Sequence, residues 1–158
     1  MQVESRTVKL IVQRKGEVKS KAIKMTYDLS LEFFVHAAPD EVMMLLTDSA
    51  FITDWSGAES LVEKKAGGKF AMFDGWVEGQ VLKITGDELV YTWKADNWGA
   101  DAAPSEVHYK LVGVEHGTEV FVTHTGIPTK EEMEAHRTGW DKNFFALIGE
   151  YLSNRNHS

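Results

Sequence analysis

The second half of the chain is a series of short strand patterns joined by tight turns, and it ends in one long helical pattern. The clear strand patterns are KFAMF, WVEGQVLKI, ELVYTWKA, EVHYKLVGV and TEVFVTH, and SLVEK is a weaker one. The turns between them contain Asp-Gly, Thr-Gly-Asp and His-Gly, which are typical of hairpins. Strands joined by such short turns pair antiparallel, so this half predicts an antiparallel sheet.

The C-terminal segment predicts a single amphipathic helix that packs on this sheet. Thr129 and Glu132 have the spacing of a capping box, directly after Pro128. Apolar side chains then recur at helical spacing, namely Met133, Trp140, Phe144, Ile148 and Tyr151. Earlier in the chain, VKLIVQ and KAIKMTYDLSLEFFV predict strands, while Pro39 and the segment SAFITDW predict two short helices.

The hairpin GGKFAMFDGWVEGQV, residues 67–81, indicates which face of the sheet is apolar. A two-residue Asp-Gly turn at its centre would pair Phe70 with Gly79, leaving room for the ring over bare backbone and keeping space open. If His116 and Gly117 close the last hairpin, Tyr109 lies opposite His124 on the same inward face. The residues expected to face the helix are Phe70, Met72, Val77, Tyr91, Trp93, Leu111 and Val122. We therefore expect an α+β fold in which a curved antiparallel sheet wraps around the long C-terminal helix, with two short helices after the first main strand.

Composition fits one globular domain and excludes several kinds of chemistry. The chain has 158 residues, of which 43% are hydrophobic and 26% charged. It contains no cysteine, which excludes disulfides, thiolate metal sites and a cysteine nucleophile. The start lacks the apolar region of a signal peptide and no apolar run is long enough to cross a bilayer, so we expect a cytoplasmic protein without a membrane span.

Charge is distributed unevenly along the chain. Residues 1–25 contain only Glu4 and Glu17 against seven basic residues, Arg6, Lys9, Arg14, Lys15, Lys19, Lys21 and Lys24. We expect 1–25 to form a basic extension, in the simplest interpretation a solvated edge or frayed terminus, which could also add a strand or dock on an acidic surface, and 26–158 to form the folded domain. Residues 1–25 carry a net charge of +5 within a whole-chain charge of −7, so residues 26–158 carry −12, and this acidic domain argues against nucleic-acid binding.

Motifs for catalysis, metal binding or phosphate binding are missing from the sequence. No paired-histidine or HExxH spacing, P-loop, GxGxxG or GxSxG elbow is present, so we expect no metal, no cofactor and no enzymatic activity. Tyr109 and His124 are the exception that leaves two interpretations open. Together they could orient a polar ligand group or move a proton, or they could be a satisfied hydrogen-bonded pair in the core.

Several short motifs occur in an order that resembles a known family. They are GGKF with the following Asp-Gly turn, Thr92-Trp93, the Gly-Thr before the last strand, Gly-Ile-Pro at 126–128, and Gly139-Trp140. From about Leu29 to Leu152 the chain resembles the homologues of the activator of the heat-shock protein 90 ATPase, and in particular their C-terminal domain. That family belongs to the START-like helix-grip superfamily, which includes the birch pollen allergen.

The resemblance implies an elongated apolar cavity between the sheet and the long helix. We expect a non-catalytic domain that binds a small apolar or amphipathic ligand there, with a role in a stress response. Trp98 lies in a loop and is expected either to cover the cavity mouth or to contact a partner. The expected lining is Trp55, Phe70, Met72, Gly79, Tyr91, Trp93, Tyr109, Val122, His124, Trp140 and Phe144.

Two alternative functions follow from the same resemblance. The domain could be an interaction module that contacts a heat-shock protein 90-type chaperone, or a cyclase- or hydrolase-like enzyme. The sequence does not contain the separate N-terminal domain of the full activator. We therefore expect it to stimulate chaperone ATP hydrolysis weakly or not at all.

Overall fold

A curved antiparallel sheet wraps around a long C-terminal helix in the computed structural model, which describes residues 3–4, 8–12 and 23–156 and the side chains of 25–155. The predicted α+β helix-grip architecture is confirmed. The strands are β1 (Val3–Glu4), β2 (Val8–Val12), β3 (Ile23–Val35), β4 (Leu61–Val62), β5 (Lys69–Met72), β6 (Val77–Ile84), β7 (Glu88–Ala95), β8 (Ser105–Val114) and β9 (Gly117–Ile127).

The strands pair in the order β1-β3-β9-β8-β7-β6-β5-β4, and β2 also pairs with β3. Strands β1 and β2 come from the N-terminal extension, where Val3 lies opposite Leu31 and Val8 opposite Tyr27. The basic side chains of this extension lie outside the residues whose side chains are described. The long strand β3 therefore pairs with the extension on one side and with β9 on the other.

Two short helices follow β3, as the sequence predicts. Helix α1 (Pro39–Thr47) has proline in its first turn, and α2 (Ser49–Ser56) is capped by Asp48, whose carboxylate accepts bonds from two backbone amides. The C-terminal helix consists of α3 (Lys130–Gly139), a π-helical stretch (Trp140–Phe145) and α4 (Ala146–Asn156).

A π-helical stretch interrupts the C-terminal helix and widens its buried face. A π turn contains one residue more than an α turn, so the positions after it move by one residue. Phe144 and Phe145 are both buried, and so is Leu152. The predicted positions Met133, Trp140, Phe144 and Ile148 are buried, and Tyr151 is partly buried and packs against the core.

Alternation correctly predicts the inward face of the sheet. Phe70, Tyr91 and Trp93 are buried, and the pairing of Phe70 with Gly79 is as expected. All seven residues expected on this face are buried. The apolar face of the sheet and the C-terminal helix therefore share one core.

The last hairpin has a register that differs from the expected one by two residues. Its turn is at Glu115 and His116 rather than at His116 and Gly117, so Tyr109 lies opposite Val122 and His124 lies opposite Val107. Gly117 is the first residue of β9, where β3 approaches closely. The position requires glycine, because a Cβ there would lie 2.4 Å from the carbonyl oxygen of Val35.

Glycine at position 79 likewise allows β6 and β7 to approach each other closely. A Cβ built on Gly79 would lie 1.9 Å from the carbonyl oxygen of Thr92 on β7. The hydroxyl of Thr92 accepts a hydrogen bond of 2.8 Å from the amide of Gln80. The space above the Cα of Gly79 is therefore occupied by backbone of β7 rather than left open.

Candidate functional site

A cleft with a volume of about 440 Å³ lies between the β5–β6 turn, strand β7 and the C-terminal helix. Five of its lining side chains are aromatic rings of Phe or Trp. The remaining lining is polar or small and lies mostly on α3. The lining residues are Phe73, Trp76, Trp93, Asn97, Glu132, Ala135, His136, Gly139, Trp140, Asn143 and Phe144. We call this space the aromatic cleft.

The β5–β6 turn places two of these rings. Phe73, Asp74 and Gly75 all have positive φ, 55°, 58° and 86°, and in two overlapping turns the amides of Gly75 and Trp76 donate to the carbonyls of Met72 and Phe73. These are the features of the type I′ turn that joins hairpin strands. The Asp74 carboxylate accepts a bond of 2.7 Å from the amide of Glu59, which holds the turn against the loop before β4. Phe73 and Trp76 are therefore fixed on either side of the turn.

The other three rings form a continuous aromatic wall behind the turn. The ring centroids of Trp93 and Trp140 are 5.1 Å apart, and those of Trp140 and Phe144 are 4.7 Å apart. Trp76 meets Trp93 nearly edge to face, at 6.2 Å and 83°. Aromatic pairs at such distances stabilise each other beyond simple burial. The wall is therefore built from one strand, one turn and the helix together.

Sheet and helix exchange hydrogen bonds behind this wall. Trp140 on the helix donates from Nε1 to Nδ1 of His124 on β9, over 3.2 Å. Trp93 on β7 donates from Nε1 to Nε2 of His136 on α3, over 3.0 Å. An imidazole nitrogen that accepts a hydrogen bond carries no proton, so this network assigns the neutral form to both rings.

The second nitrogen of each imidazole has a partner too. Nε2 of His124 lies 2.8 Å from Oγ of Ser105, which donates in turn to the carbonyl of Trp93 over 2.6 Å. Nδ1 of His136 lies 2.8 Å from the carbonyl oxygen of Glu132. Every nitrogen of the two histidines is therefore satisfied within the protein.

Burial keeps both histidines neutral. Desolvation lowers the pKa of His124 well below its ordinary value of 6.5, and the neighbouring His136 lowers it further. Desolvation also lowers the pKa of His136, against the opposing effect of its bond to the Glu132 carbonyl. At neutral pH these groups act as fixed hydrogen-bonding partners rather than as charges.

Tyr109 pairs with another tyrosine and not with His124. Its hydroxyl lies 2.6 Å from that of Tyr91, and both residues are fully buried. Burial raises the pKa of both phenols. The expected Tyr109–His124 pair is therefore wrong in its partners, because the register of the last hairpin differs, although each group is satisfied in the core.

The polar end of the aromatic cleft is organised around Glu132. Its Oε1 accepts a bond of 2.9 Å from Nε1 of Trp98, and its Oε2 accepts one of 3.1 Å from Nδ2 of Asn97. Thr129 caps α3 by accepting from the amide of Glu132. Trp98 is only 6% exposed, so it fastens the β7–β8 loop to α3 and does not form an exposed contact surface.

Only part of the expected cavity lining reaches the aromatic cleft. Trp93, Trp140 and Phe144 line it. Gly79 lines a separate, more open groove together with Glu78, Thr92 and Lys94. The other expected residues lie in the core and do not line the cleft: Trp55, Phe70, Met72, Tyr91, Tyr109, Val122 and His124.

Sequence reasoning missed most of the cleft's rim. Phe73 and Trp76 flank the Asp-Gly turn, and aromatic residues on both sides of a turn were a usable signal. Glu132 and His136 are four residues apart on α3, so they lie on one helix face beside the aromatic stripe. The capping-box spacing directs the Glu132 side chain back to the amide of Thr129, whereas in the structure this side chain bonds to Asn97 and Trp98 at the cleft.

The side chains described, 25–155, include no group of three or more histidine, aspartate or glutamate residues that could hold a metal ion. None of the helices in the described part of the chain is long and apolar enough to cross a bilayer.

The fold and the cleft define a helix-grip domain with an aromatic cleft between sheet and helix. The model of the family described as "Activator of Hsp90 ATPase homolog 1-like protein" matches residues 36–153. The chain belongs to this family, as its sequence motifs indicate.

Individual relatives agree with this assignment. The human activator of 90 kDa heat shock protein ATPase homolog 1 is 25% identical over 136 residues, which cover 85% of this chain and 40% of the human protein. The chain spans less than half the length of the curated relatives that it matches.

Solved structures show the same fold. A crystal structure of an HSP90 activator from Plasmodium falciparum superimposes with a TM-score of 0.70 at 28% identity, covering 81% of this chain and 96% of that one. An Aha1 dimer from Colwellia psychrerythraea gives a TM-score of 0.64 at 20% identity, over 77% of this chain and 92% of that one, and supports the fold alone.

Because His124 and His136 are buried in their neutral form, the free energy of unfolding should depend on pH. Because their folded pKa values lie below the unfolded value of 6.5, the unfolded state binds more protons once the pH falls below about 6.5. The contribution of the two neutral histidines to the free energy of unfolding is complete above that pH. It declines as the pH falls towards their folded pKa values. Each contributes a slope of at most about 1.4 kcal/mol per pH unit.

Urea unfolding between pH 7.5 and 5 measures this slope. The His124→Gln variant should lose stability less steeply on acidification than the native chain. Equal slopes for the native chain and His124→Gln would show that protonation of His124 does not couple to unfolding.

Proposed function

We propose that this domain binds a small apolar or amphipathic molecule in the aromatic cleft. The observation that carries the proposal is a cleft of about 440 Å³ with five aromatic side chains and a polar end. Small-molecule sites commonly have volumes of roughly 300 to 1,000 Å³, apolar walls and a few placed polar groups. The cleft has each of these properties.

The rigidity of the walls supports binding. Trp93 and Trp140 are each held by an indole hydrogen bond to a buried histidine, and the turn carrying Trp76 is anchored through Asp74. A ligand would therefore meet walls that lose little conformational freedom on binding. Phe73 and Trp76 are only partly buried, so a ligand would cover apolar surface that now faces water.

The enzyme alternative that relies on Tyr109 and His124 receives no support from this geometry. A catalytic acid or base must come within hydrogen-bonding reach of its substrate. Tyr109 and His124 are fully buried and do not line the cleft.

Removal of one wall tests the proposal. Calorimetric titration with 2-naphthalenemethanol, a flat neutral probe, should show binding to the native chain, and a hundredfold excess over the dissociation constant should stabilise it by about 2.7 kcal/mol. Trp76→Ala should weaken binding about tenfold or more, since it removes an aromatic contact worth about 1.4 kcal/mol.

Phe121→Ala is the matched control, because it removes an exposed ring from the outer face of the sheet. This variant should bind the probe as the native chain does. The proposal fails if Trp76→Ala and Phe121→Ala have the same affinity, or if neutral, cationic and anionic naphthalenes all leave the melting temperature of the native chain unchanged.

A second candidate function is contact with an Hsp90-type chaperone. The Plasmodium falciparum structure supports it, since that protein is described as an HSP90 activator and 96% of its chain is matched at 28% identity. The candidate concerns binding, because this chain matches only 40% of the length of the human activator. A role in a stress response would be consistent with either candidate.

The chaperone candidate is tested with a purified Hsp90-type chaperone from the same source as the chain. We expect a complex at micromolar concentrations, with little or no increase in ATP hydrolysis. Absence of a complex would remove this candidate. Strong stimulation of hydrolysis by this chain would contradict the expectation of weak activity and would place the chaperone ahead of the small ligand.

A further inference from the structure

The aromatic cleft has only one formally charged side chain in its lining, and it is acidic. Of the residues that line the cleft, Glu132 is a carboxylate and none is lysine or arginine. His136, the one other titratable group there, is held neutral by the indole bond from Trp93. The electrostatic character of the cleft is therefore set by Glu132.

Glu132 is positioned by neutral donors and not by a cation. Its two oxygens accept from the indole of Trp98 and the amide of Asn97. Nδ1 of the neutral His136 lies 3.6 Å from Oε1 of Glu132. The proton on this nitrogen is directed to the backbone carbonyl oxygen of Glu132, at 2.8 Å, and not to the carboxylate. Among the described side chains, no lysine or arginine forms an ion pair with it. The carboxylate therefore stays fixed at the cleft without a compensating positive charge.

The aromatic walls favour positive charge as well. The face of an indole ring carries partial negative charge and attracts an organic cation within about 6 Å. Trp76 and Trp93 stand at 83° to each other, so their rings form two sides of a corner. Trp76 also stacks on His136, at 5.8 Å, and this ring is the immediate neighbour of Glu132. Carboxylate and aromatic corner therefore lie together.

We propose that the ligand of the aromatic cleft is an amphipathic organic cation, with an amine or quaternary ammonium group next to Glu132 and a flat apolar body between the aromatic walls. This inference rests on the proposed function and specifies its ligand class. An anionic ligand of the same shape would meet an uncompensated carboxylate and a protein with a net charge of −7. The charge of the ligand is thus the property that the cleft selects.

Three naphthalenes of nearly equal size separate charge from shape: 2-naphthylmethylamine, which is cationic at neutral pH, neutral 2-naphthalenemethanol, and anionic 2-naphthoate. In calorimetric titrations of the native chain, the amine should bind at least about tenfold more tightly than the alcohol, and the naphthoate most weakly. The advantage of the amine should shrink between 20 mM and 500 mM salt, because exposed charges are screened.

Glu132→Gln should remove the preference for the amine, measured as the ratio of the amine and alcohol affinities within the variant. Glutamine can still accept from Trp98 or Asn97, and binding of the alcohol shows that the cleft has kept its shape. Glu131→Gln is the matched control, since it makes the same charge change at an exposed neighbour outside the cleft. This control should keep the preference of the native chain.

The outcomes distinguish a failure of this inference from a failure of the proposed function. Equal affinities for amine and alcohol in the native chain would overturn the inference and leave the proposed function standing. An equal loss of amine binding in Glu131→Gln and Glu132→Gln would also overturn it, because the preference would then arise from net charge. Failure of all three probes to bind would overturn both.

Discussion

The reciprocal hydrogen bonds between two tryptophans and two histidines join the sheet to the C-terminal helix. Trp140 of the helix donates to His124 of the sheet, and Trp93 of the sheet donates to His136 of the helix. Both bonds are buried, where an unpaired polar group is costly, so each indole and each imidazole depends on the other. Any movement of the helix along the sheet would break both bonds, and this fixes the aromatic wall of the cleft.

The same network explains how a strongly aromatic core can also present a binding site. Trp93 and Trp140 satisfy their indole N–H groups inside the core, and both rings line the cleft although they are only 3% and 2% exposed. The turn with Phe73 and Trp76 then closes one side of the space, and Glu132 closes the other. A preorganised site of this kind needs little rearrangement to bind, and its one charge provides selectivity.

Local sequence patterns determined much of the fold but little of the site. Alternation predicted strand β7 with its observed ends, and the Asp-Gly turn fixed the pairing of Phe70 with Gly79. The register of the last hairpin was missed because a shift of two residues leaves alternation unchanged. The π-helical stretch, and the use of the Glu132 side chain at the cleft instead of in a cap, depend on tertiary packing that no local pattern encodes.

The indole N–H signals in a ¹H–¹⁵N spectrum test most directly whether the aromatic cleft is the binding site. The chain has five tryptophans, which can be assigned by single Trp→Phe substitutions. During titration with 2-naphthylmethylamine, the signals of Trp76, Trp93 and Trp140 should move most, and that of Trp55, which lies outside the cleft lining, should move least. Binding of the probe with the three cleft signals unchanged would contradict the account.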